Sequence, residues 1–375
     1  MRGHIRKRGS SWSIAVSLGK DPITGKRNQK TFSGYKTEKE AEKALAKIIY
    51  EYNSGMYVEP SKITLSEFLE NWLEVRVQRT VRPSTFDSYS RAIKKRIIPA
   101  LGNLTLQKLN VLHIENFISD LSKENLTPEY ITYIHAILRT ALYQAVRWEI
   151  LQKNPAASAS PPRIPKRVPK VWNQQQVKLF LENAREGKSN YYIVYLLAIW
   201  TGMRRGEILG LRWKDIDLEA GTISIVQNLV YTGKRLLIQE PKTPGSIRTV
   251  TISPFVVKEL RNYKETQNQQ KQLLGPAYED NDLVIVNEMG NPLHPRSLSG
   301  NYGNLIKKLN LDRIRFHDLR HVHATLLLKI GEHPKVVSER LGHSNTKMTM
   351  DTYSHVTSNM QREASLRFEN FIQGN

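Results

Sequence analysis

The sequence predicts a multidomain protein of the α+β class, mainly α-helical with small β-sheets. Three observations support this class. The chain has 375 residues, which is too long for one compact core, so two or three domains are expected. Its apolar residues recur mostly at helical spacing, and alternation is confined to two regions. A proline-rich segment, Asn154–Lys170, separates the two halves.

Residues 1–57 predict a small sheet backed by one helix. Trp12–Leu18 alternates as a strand, and Asn28–Phe32 returns as a second strand after a stretch of turn formers. Thr37 is placed to cap a helix over Glu38–Tyr52. The first 30 residues hold eight Lys or Arg and one Asp, a balance that favours nucleic acid as a partner.

Residues 62–153 predict a compact four-helix bundle. Its helices are expected to begin near Thr64, Arg82, Asn110 and Pro128. Thr64 and Glu67 have the spacing of a capping box. A group of basic residues suggests a surface that faces DNA: Arg76, Arg79, Arg82, Arg91, Lys94, Lys95 and Arg96. The following linker, 154–170, contains five Pro and is itself basic, so we expect an extended tether.

Residues 171–375 predict the largest unit, which is helical with one inserted sheet. Tyr191–Trp200 is nearly all apolar and should be a buried helix. The period then becomes alternating, which predicts three strands of one small sheet. They are Thr222–Val226, Arg235–Gln239 and Ile247–Ile252, and Lys242 falls in a turn between the last two.

Charge and composition narrow the function classes. Lys and Arg number 56 against 35 Asp and Glu, and this net charge of +21 favours a polyanion, most often nucleic acid. No stretch approaches the roughly 20 apolar residues of a membrane span, and the N-terminus lacks the apolar core of a secretory signal. The absence of Cys excludes disulfides and Cys-based zinc sites and fits a cytoplasmic protein.

One stretch near the C-terminus combines Arg, His and Tyr in a pattern typical of phosphate chemistry. His317, Arg320 and His321 lie at i, i+3 and i+4, so they share one face of a predicted helix that Gly331 ends. Leu341-Gly342-His343 predicts a second helix end that presents a His from a turn, and a Tyr follows ten residues later. A cation beside imidazoles is suited to gripping an anion.

Five short motifs occur in a fixed order: T-G-M-R, P-K-T, H-D-L-R, L-G-H and T-Y-S-H. They supply six candidate catalytic residues, namely Arg204, Lys242, His317, Arg320, His343 and Tyr353. The series resembles the catalytic domain of the tyrosine recombinases, the phage-integrase family. The N-terminal hairpin and helix resemble the arm-site-binding domain of integrases from phages and integrative elements. The helical bundle resembles their core-binding domain.

The resemblance implies that Tyr353 cleaves one DNA strand, leaving a 3′-phosphotyrosyl link and a free 5′-hydroxyl. Arg204 and Arg320 would neutralise the phosphate, and His317 would transfer a proton or contact the phosphate near Tyr353. His343 would donate to a phosphate oxygen, and Lys242 would protonate the leaving oxygen. One ester replaces another, so neither a nucleotide cofactor nor a metal is expected. The implied partners are double-stranded DNA at core and arm sites, three further copies in a tetramer, an excisionase and a DNA-bending host protein. The implied setting is the bacterial nucleoid.

Other interpretations use the same residues. His321-Val322-His323 with a downstream Tyr also resembles the metal site of relaxases, although a helix would point these two His to nearly opposite sides. A type IB topoisomerase shares the covalent chemistry, and a catalytically silent DNA-binding protein is a further alternative. The roles of His321, His323 and His355 stay open, with His321 and His323 expected in the core or behind the site.

The C-terminal tail carries an apolar stripe at helical spacing, formed by Met360, Ala364, Phe368 and Phe371. Such a stripe can dock on its own domain or, as the resemblance implies, on a neighbouring protomer in a tetramer bound to DNA. Its place after Tyr353 favours the neighbouring protomer.

Overall fold

The structure is a computed structural model that describes residues 3–20, 27–54, 57, 61–165, 170–187, 189–233, 235–241, 246–342, 365 and 368–373. The chain divides into two compact units, Met1–Pro165 and Lys166–Asn375. The division falls within the segment that the sequence predicts as a linker. No helix of the described ranges is long and apolar enough to cross a membrane.

The first unit begins with an antiparallel sheet of three strands in the order β1-β2-β3. They are β1 (Gly3–Arg8), β2 (Ser11–Lys20) and β3 (Arg27–Tyr35). The sequence predicted β2 and β3 but missed β1. Ile5 is the one large apolar side chain in β1, so this strand gives almost no alternating pattern. Helix α1 (Glu38–Asn53) packs on the sheet, and its predicted cap is confirmed, since the Thr37 side chain accepts from the Glu40 amide at 3.2 Å.

A helical bundle follows in the same unit. Its helices are α2 (Leu65–Trp72), α3 (Gln78–Thr80), α4 (Pro83–Ala92), α5 (Ile98–Leu101), α6 (Val111–Lys123) and α7 (Pro128–Arg147). Single π-helical turns join α2 to α3 and α4 to α5. The predicted capping box is present, because Thr64 accepts from the Glu67 amide while the Glu67 carboxylate accepts from the Thr64 amide. The core is apolar and includes Phe68, Trp72, Ile93 and Leu138.

The first part of the predicted linker packs on this bundle. Pro155–Ala157 forms a short 3-10 turn whose Pro155 and Ala156 are buried. The Ala156 carbonyl lies 2.9 Å from Nε2 of His135, and the Ser160 amide donates to Glu115 at 2.8 Å. Residues 154–160 therefore have fixed partners.

The second unit is built from seven helices within the described ranges. They are α8 (Gln174–Arg185), α9 (Ser189–Thr201), α10 (Arg205–Leu209), α11 (Pro254–Leu274), α12 (Pro295–Lys308), α13 (Leu319–Lys329) and α14 (Pro334–Leu341). Helix α9 is the centre of this unit and contacts α8, α11 and α13. Its residues 192–199 are all buried, as predicted, whereas Trp200 at its end is 41% exposed.

Two small sheets interrupt these helices. One has three strands in the order β4 (Ile216–Asp217), β5 (Thr222–Ile225) and β8 (Arg248–Thr251). The other pairs β6 (Asn228–Tyr231) with β7 (Leu236–Gln239). A three-stranded sheet was predicted and is present, but the prediction placed β7 in it, where the structure has β4. The stretch containing β7 forms a separate hairpin, because alternation identifies a strand without identifying its partner.

The predicted helix ends near the C-terminus are confirmed. Gly331 lies just past α13 and Gly342 just past α14, both with positive φ, of 90° and 63°. Residues 368–373 are helical, and Phe368, Phe371 and Ile372 are 67%, 82% and 66% exposed.

Candidate active site

Arg204 occupies the turn between α9 and α10. Helix α9 ends at Thr201, and Gly202 then adopts a left-handed conformation with φ of 66°, which reverses the chain direction. Arg204 is the residue that caps α10. The apolar helix therefore fixes where this guanidinium emerges.

Glu207 holds Arg204 in place. Its carboxylate accepts from the backbone amide and from a guanidinium nitrogen of Arg204, each at 2.8 Å. The same carboxylate accepts two bonds from Arg248, at 2.9 and 3.3 Å. Burial opposes the negative charge on Glu207, but the hydrogen bonds and charges of Arg248 and Arg204 outweigh it and lower the pKa of this carboxyl. Glu207 is thus a buried carboxylate that orients two arginines.

Arg320 is fixed from the opposite side, on the first turn of α13. It is 4% exposed, and its guanidinium donates to the Gly202 carbonyl at 2.8 Å and to the Leu341 carbonyl. Gly202 lies two residues before Arg204, so the two candidate arginines are anchored to the same short segment.

His317 lies beside these arginines in a 3-10 turn, Phe316–Asp318, that precedes α13. Its ring meets that of His321 edge-on, with centroids 5.9 Å apart. Desolvation lowers the pKa of His317, and the neighbouring His321, Arg320 and Arg204 lower it further, against an opposing effect of the Asp318 carboxylate. His317 is therefore neutral at pH 7 and able to accept a proton.

The structure brings together three of the six predicted residues, namely Arg204, His317 and Arg320. The other three, Lys242, His343 and Tyr353, lie outside the described residues. Lys242 comes three residues after β7, and His343 directly follows Gly342 at the end of α14.

Sequence reasoning missed Arg248, which is paired with Glu207. Along the strand, Arg248 lies on the same face as Val250 and Ile252, both of which are buried. A charged residue on the apolar face of a strand indicates a buried partner, and this signal was available in the sequence.

His323 is a core residue. Its Nδ1 lies 2.8 Å from the Ile199 carbonyl, and burial lowers its pKa to about 4.

His321 faces His317, so the two imidazoles of the His-Val-His sequence are engaged in different directions on one helix. A relaxase site needs both on one face. Within the described ranges, no group of three or more His, Asp or Glu is arranged to hold a metal ion.

Comparison with known proteins agrees with this geometry. Residues 170–360 match the sequence profile of the phage integrase family, residues 64–122 match an N-terminal SAM-like domain of phage integrases, and residues 4–52 match an arm DNA-binding domain. Similar proteins include the ICEBs1 integrase of Bacillus subtilis (strain 168), 28% identical, with 96% of this chain and 97% of that protein covered. A XerC-like tyrosine recombinase of Caldanaerobacter subterraneus subsp. tengcongensis is also 28% identical, with 92% of each chain covered.

Solved structures share the fold. The integrase of the Tn1549 transposon, in complex with a circular intermediate DNA, has a TM-score of 0.68 and 21% identity. That match covers 82% of this chain and 99% of the other. The lambda integrase dimer bound to a core site has a TM-score of 0.58 and 19% identity, with 93% and 94% covered. The family profile spans half of the sequence, and the chain belongs to the phage integrase family, the tyrosine recombinases that transfer DNA strands.

Proposed function

We propose that this protein is a site-specific DNA recombinase that integrates and excises a mobile element through a 3′-phosphotyrosyl intermediate. The observation that carries the proposal is the anchoring of Arg204 and Arg320 to one short segment, Gly202–Arg204, beside the neutral His317. Two guanidiniums and an imidazole that lie close together are suited to binding the phosphate of a phosphodiester and neutralising its charge.

The two arginines perform the electrostatic part of the reaction. A phosphodiester under attack becomes a crowded dianion whose charge is spread over its non-bridging oxygens. Arg204 and Arg320 would bind these oxygens with forked hydrogen bonds. Since both guanidiniums are held by Glu207 and by backbone carbonyls before DNA arrives, little reorganisation opposes the reaction.

The proton transfers fall to the remaining residues. Tyr353 is the proposed nucleophile, and its free pKa of about 10 means that it needs help to lose a proton at neutral pH. His317 is neutral and can accept that proton, or a hydrogen bond from the Tyr353 hydroxyl. His343 would donate to a phosphate oxygen, and Lys242 would protonate the departing 5′-oxygen. The exchange of one phosphate ester for another requires no nucleotide.

The domains divide the recognition of DNA. In this proposal residues 1–57 bind arm sites, residues 62–153 bind core sites, residues 154–170 link the halves and residues 171–375 catalyse. The net charge of +21 supports contact with DNA over much of the chain. The similar Tn1549 and lambda integrases were solved on DNA, the latter also as a tetramer on a Holliday junction.

Assembly would use the exposed apolar side chains of the tail, Phe368, Phe371 and Ile372. We place the complete reaction in a homotetramer on DNA inside a bacterial cell, assisted by an excisionase and a DNA-bending host protein.

A nicked suicide duplex tests the proposal. The duplex carries the attachment site found at the ends of the element and is incubated with protein in EDTA. We expect a covalent adduct with the wild type and none with Tyr353→Phe. An adduct that required magnesium would favour a relaxase, and no adduct at all would favour a silent DNA-binding protein.

A further inference from the structure

A closed ring of contacts joins the two catalytic arginines of the proposed function, and Arg248 is a member of it. Starting from Arg204, the ring passes to Glu207 and then to Arg248. The Nε of Arg248 donates to the Arg340 carbonyl at 2.7 Å, on the last turn of α14. The adjoining carbonyl, that of Leu341, accepts from Arg320.

The ring closes through the backbone. Arg320 donates to the Gly202 carbonyl, two residues before Arg204. Five elements are thereby tied together, namely the end of α9, α10, the start of β8, α13 and the end of α14. Among the described residues, Arg248 is the one whose side chain bridges the carboxylate that holds Arg204 and the helix end that holds Arg320.

We propose that Arg248 is a positioning residue that sets the separation of Arg204 and Arg320 on the scissile phosphate. Its side chain is 7% exposed, with three partners: Glu207, the Arg340 carbonyl and the Ser246 carbonyl. Its Nε and both terminal nitrogens donate to these partners among the described residues, so we assign it to positioning rather than to phosphate contact. The inference rests on the proposed function, because the separation matters only if both arginines bind one phosphate.

The shape of the site requires an arginine. A planar guanidinium donates along several fixed directions at once, whereas an ammonium on a flexible stem acts as one point charge. Gly342 shows how closely the guanidinium fits, because a Cβ there would lie 3.0 Å from both Cδ and a terminal nitrogen of Arg248. A lysine would keep the charge beside Glu207 but lose the simultaneous bond to α14.

The test compares Arg248→Lys with a matched control, Arg212→Lys. Arg212 also makes two bonds to a carboxylate, that of Asp215, in the same unit but outside the ring. Single-turnover cleavage is measured on the suicide duplex and on the same duplex with a neutral methylphosphonate at the scissile position. Melting temperature and non-covalent DNA affinity are recorded for each variant.

We expect Arg248→Lys to cleave the ordinary duplex about 100-fold more slowly than the wild type, with DNA affinity unchanged, because small misplacements of a catalytic group have effects of this size. On the methylphosphonate the deficit should shrink to about tenfold or less, since a neutral phosphorus centre relies less on paired guanidiniums. Arg212→Lys should match the wild type on both duplexes. If Arg248→Lys does not fold, Glu207→Gln weakens the same link and should give the same pattern.

An equal deficit on both duplexes, or cleavage as fast as that of Arg212→Lys, would overturn the inference and leave Arg248 as a structural ion pair. Failure of the wild type to cleave would instead overturn the proposed function, and this inference with it.

Discussion

Gly202 and His323 are packed so closely that a Cβ on Gly202 would lie 2.6 Å from Cδ2 of His323. This contact seals the end of α9 against α13, at the segment from which Arg204 emerges. Gly202 also has a φ of 66°, a conformation that costs other residues about 1 kcal/mol or more. The position therefore excludes a side chain on two independent grounds.

We predict that Gly202→Ala destabilises the protein by about 2–4 kcal/mol, from backbone strain and overpacking together. It should also abolish cleavage. The matched control is Gly300→Ala, which lies inside α12 with open space at the Cβ position and should stabilise by about 0.5–1 kcal/mol. Chemical denaturation measures the unfolding free energy of both variants. Equal stability of the two variants would show that the contact at Gly202 is unimportant.

The buried His323 makes stability depend on pH. Its pKa is about 4 in the folded protein and 6.5 when unperturbed, so the unfolded chain binds the extra proton first as pH falls. The stabilisation is complete above pH 6.5 and declines below it, by about 2 kcal/mol at pH 5. The difference in unfolding free energy between the wild type and His323→Gln, which does not titrate, should shrink by that amount between pH 7 and 5. Parallel pH curves for the two proteins would contradict the prediction.

Lys242 is predicted to act as a general acid, and its role can be separated from binding. Lys242→Ala should cleave the suicide duplex about 10²–10⁴-fold more slowly than the wild type. A duplex with sulfur in place of the 5′-bridging oxygen supplies a leaving group that needs no proton, so it should restore the rate. A variant that stays slow on the sulfur duplex would show that Lys242 serves another purpose.

The exposed tail residues are predicted to mediate assembly. Phe371→Asp, or deletion of Ser358–Asn375, should prevent tetramer formation on DNA while leaving binding to a single core site intact. Leu273→Asp is the control, because Leu273 is an apolar side chain of α11 with 85% exposure. Native gel electrophoresis with attachment-site DNA reads out both. If the protein without the tail still formed tetramers normally, the tail would not be part of the interface.

Local signals in the sequence predicted a large part of this fold. The predicted caps at Thr37 and Thr64 depend on residues three positions apart, and both are present. A helix also begins after Asn110, as expected. The apolar run of α9 was sufficient to predict its burial. These features are local, so neighbouring residues determine them.

The features that the sequence did not reveal depend on distant contacts. Whether β7 pairs with β6 or β5 is decided by tertiary packing. The partnership of Glu207 with Arg248 joins residues 41 positions apart. For the site, helical spacing suggested His317 and Arg320, and the resemblance implied Arg204, whereas the ring that holds the two arginines became visible only in three dimensions.

In the proposed reaction Tyr353 attaches covalently to the 3′ side of the cleaved strand. Mass spectrometry of the trapped adduct after trypsin digestion tests it most directly, because the peptide Met348–Arg362 contains Tyr353 as its one tyrosine. We predict a nucleotide remnant on that peptide, joined through a 3′-phosphate, with a free 5′-hydroxyl on the other DNA fragment. A remnant on any other peptide would show that Tyr353 is not the nucleophile, and a link through a 5′-phosphate would show that cleavage has the opposite polarity.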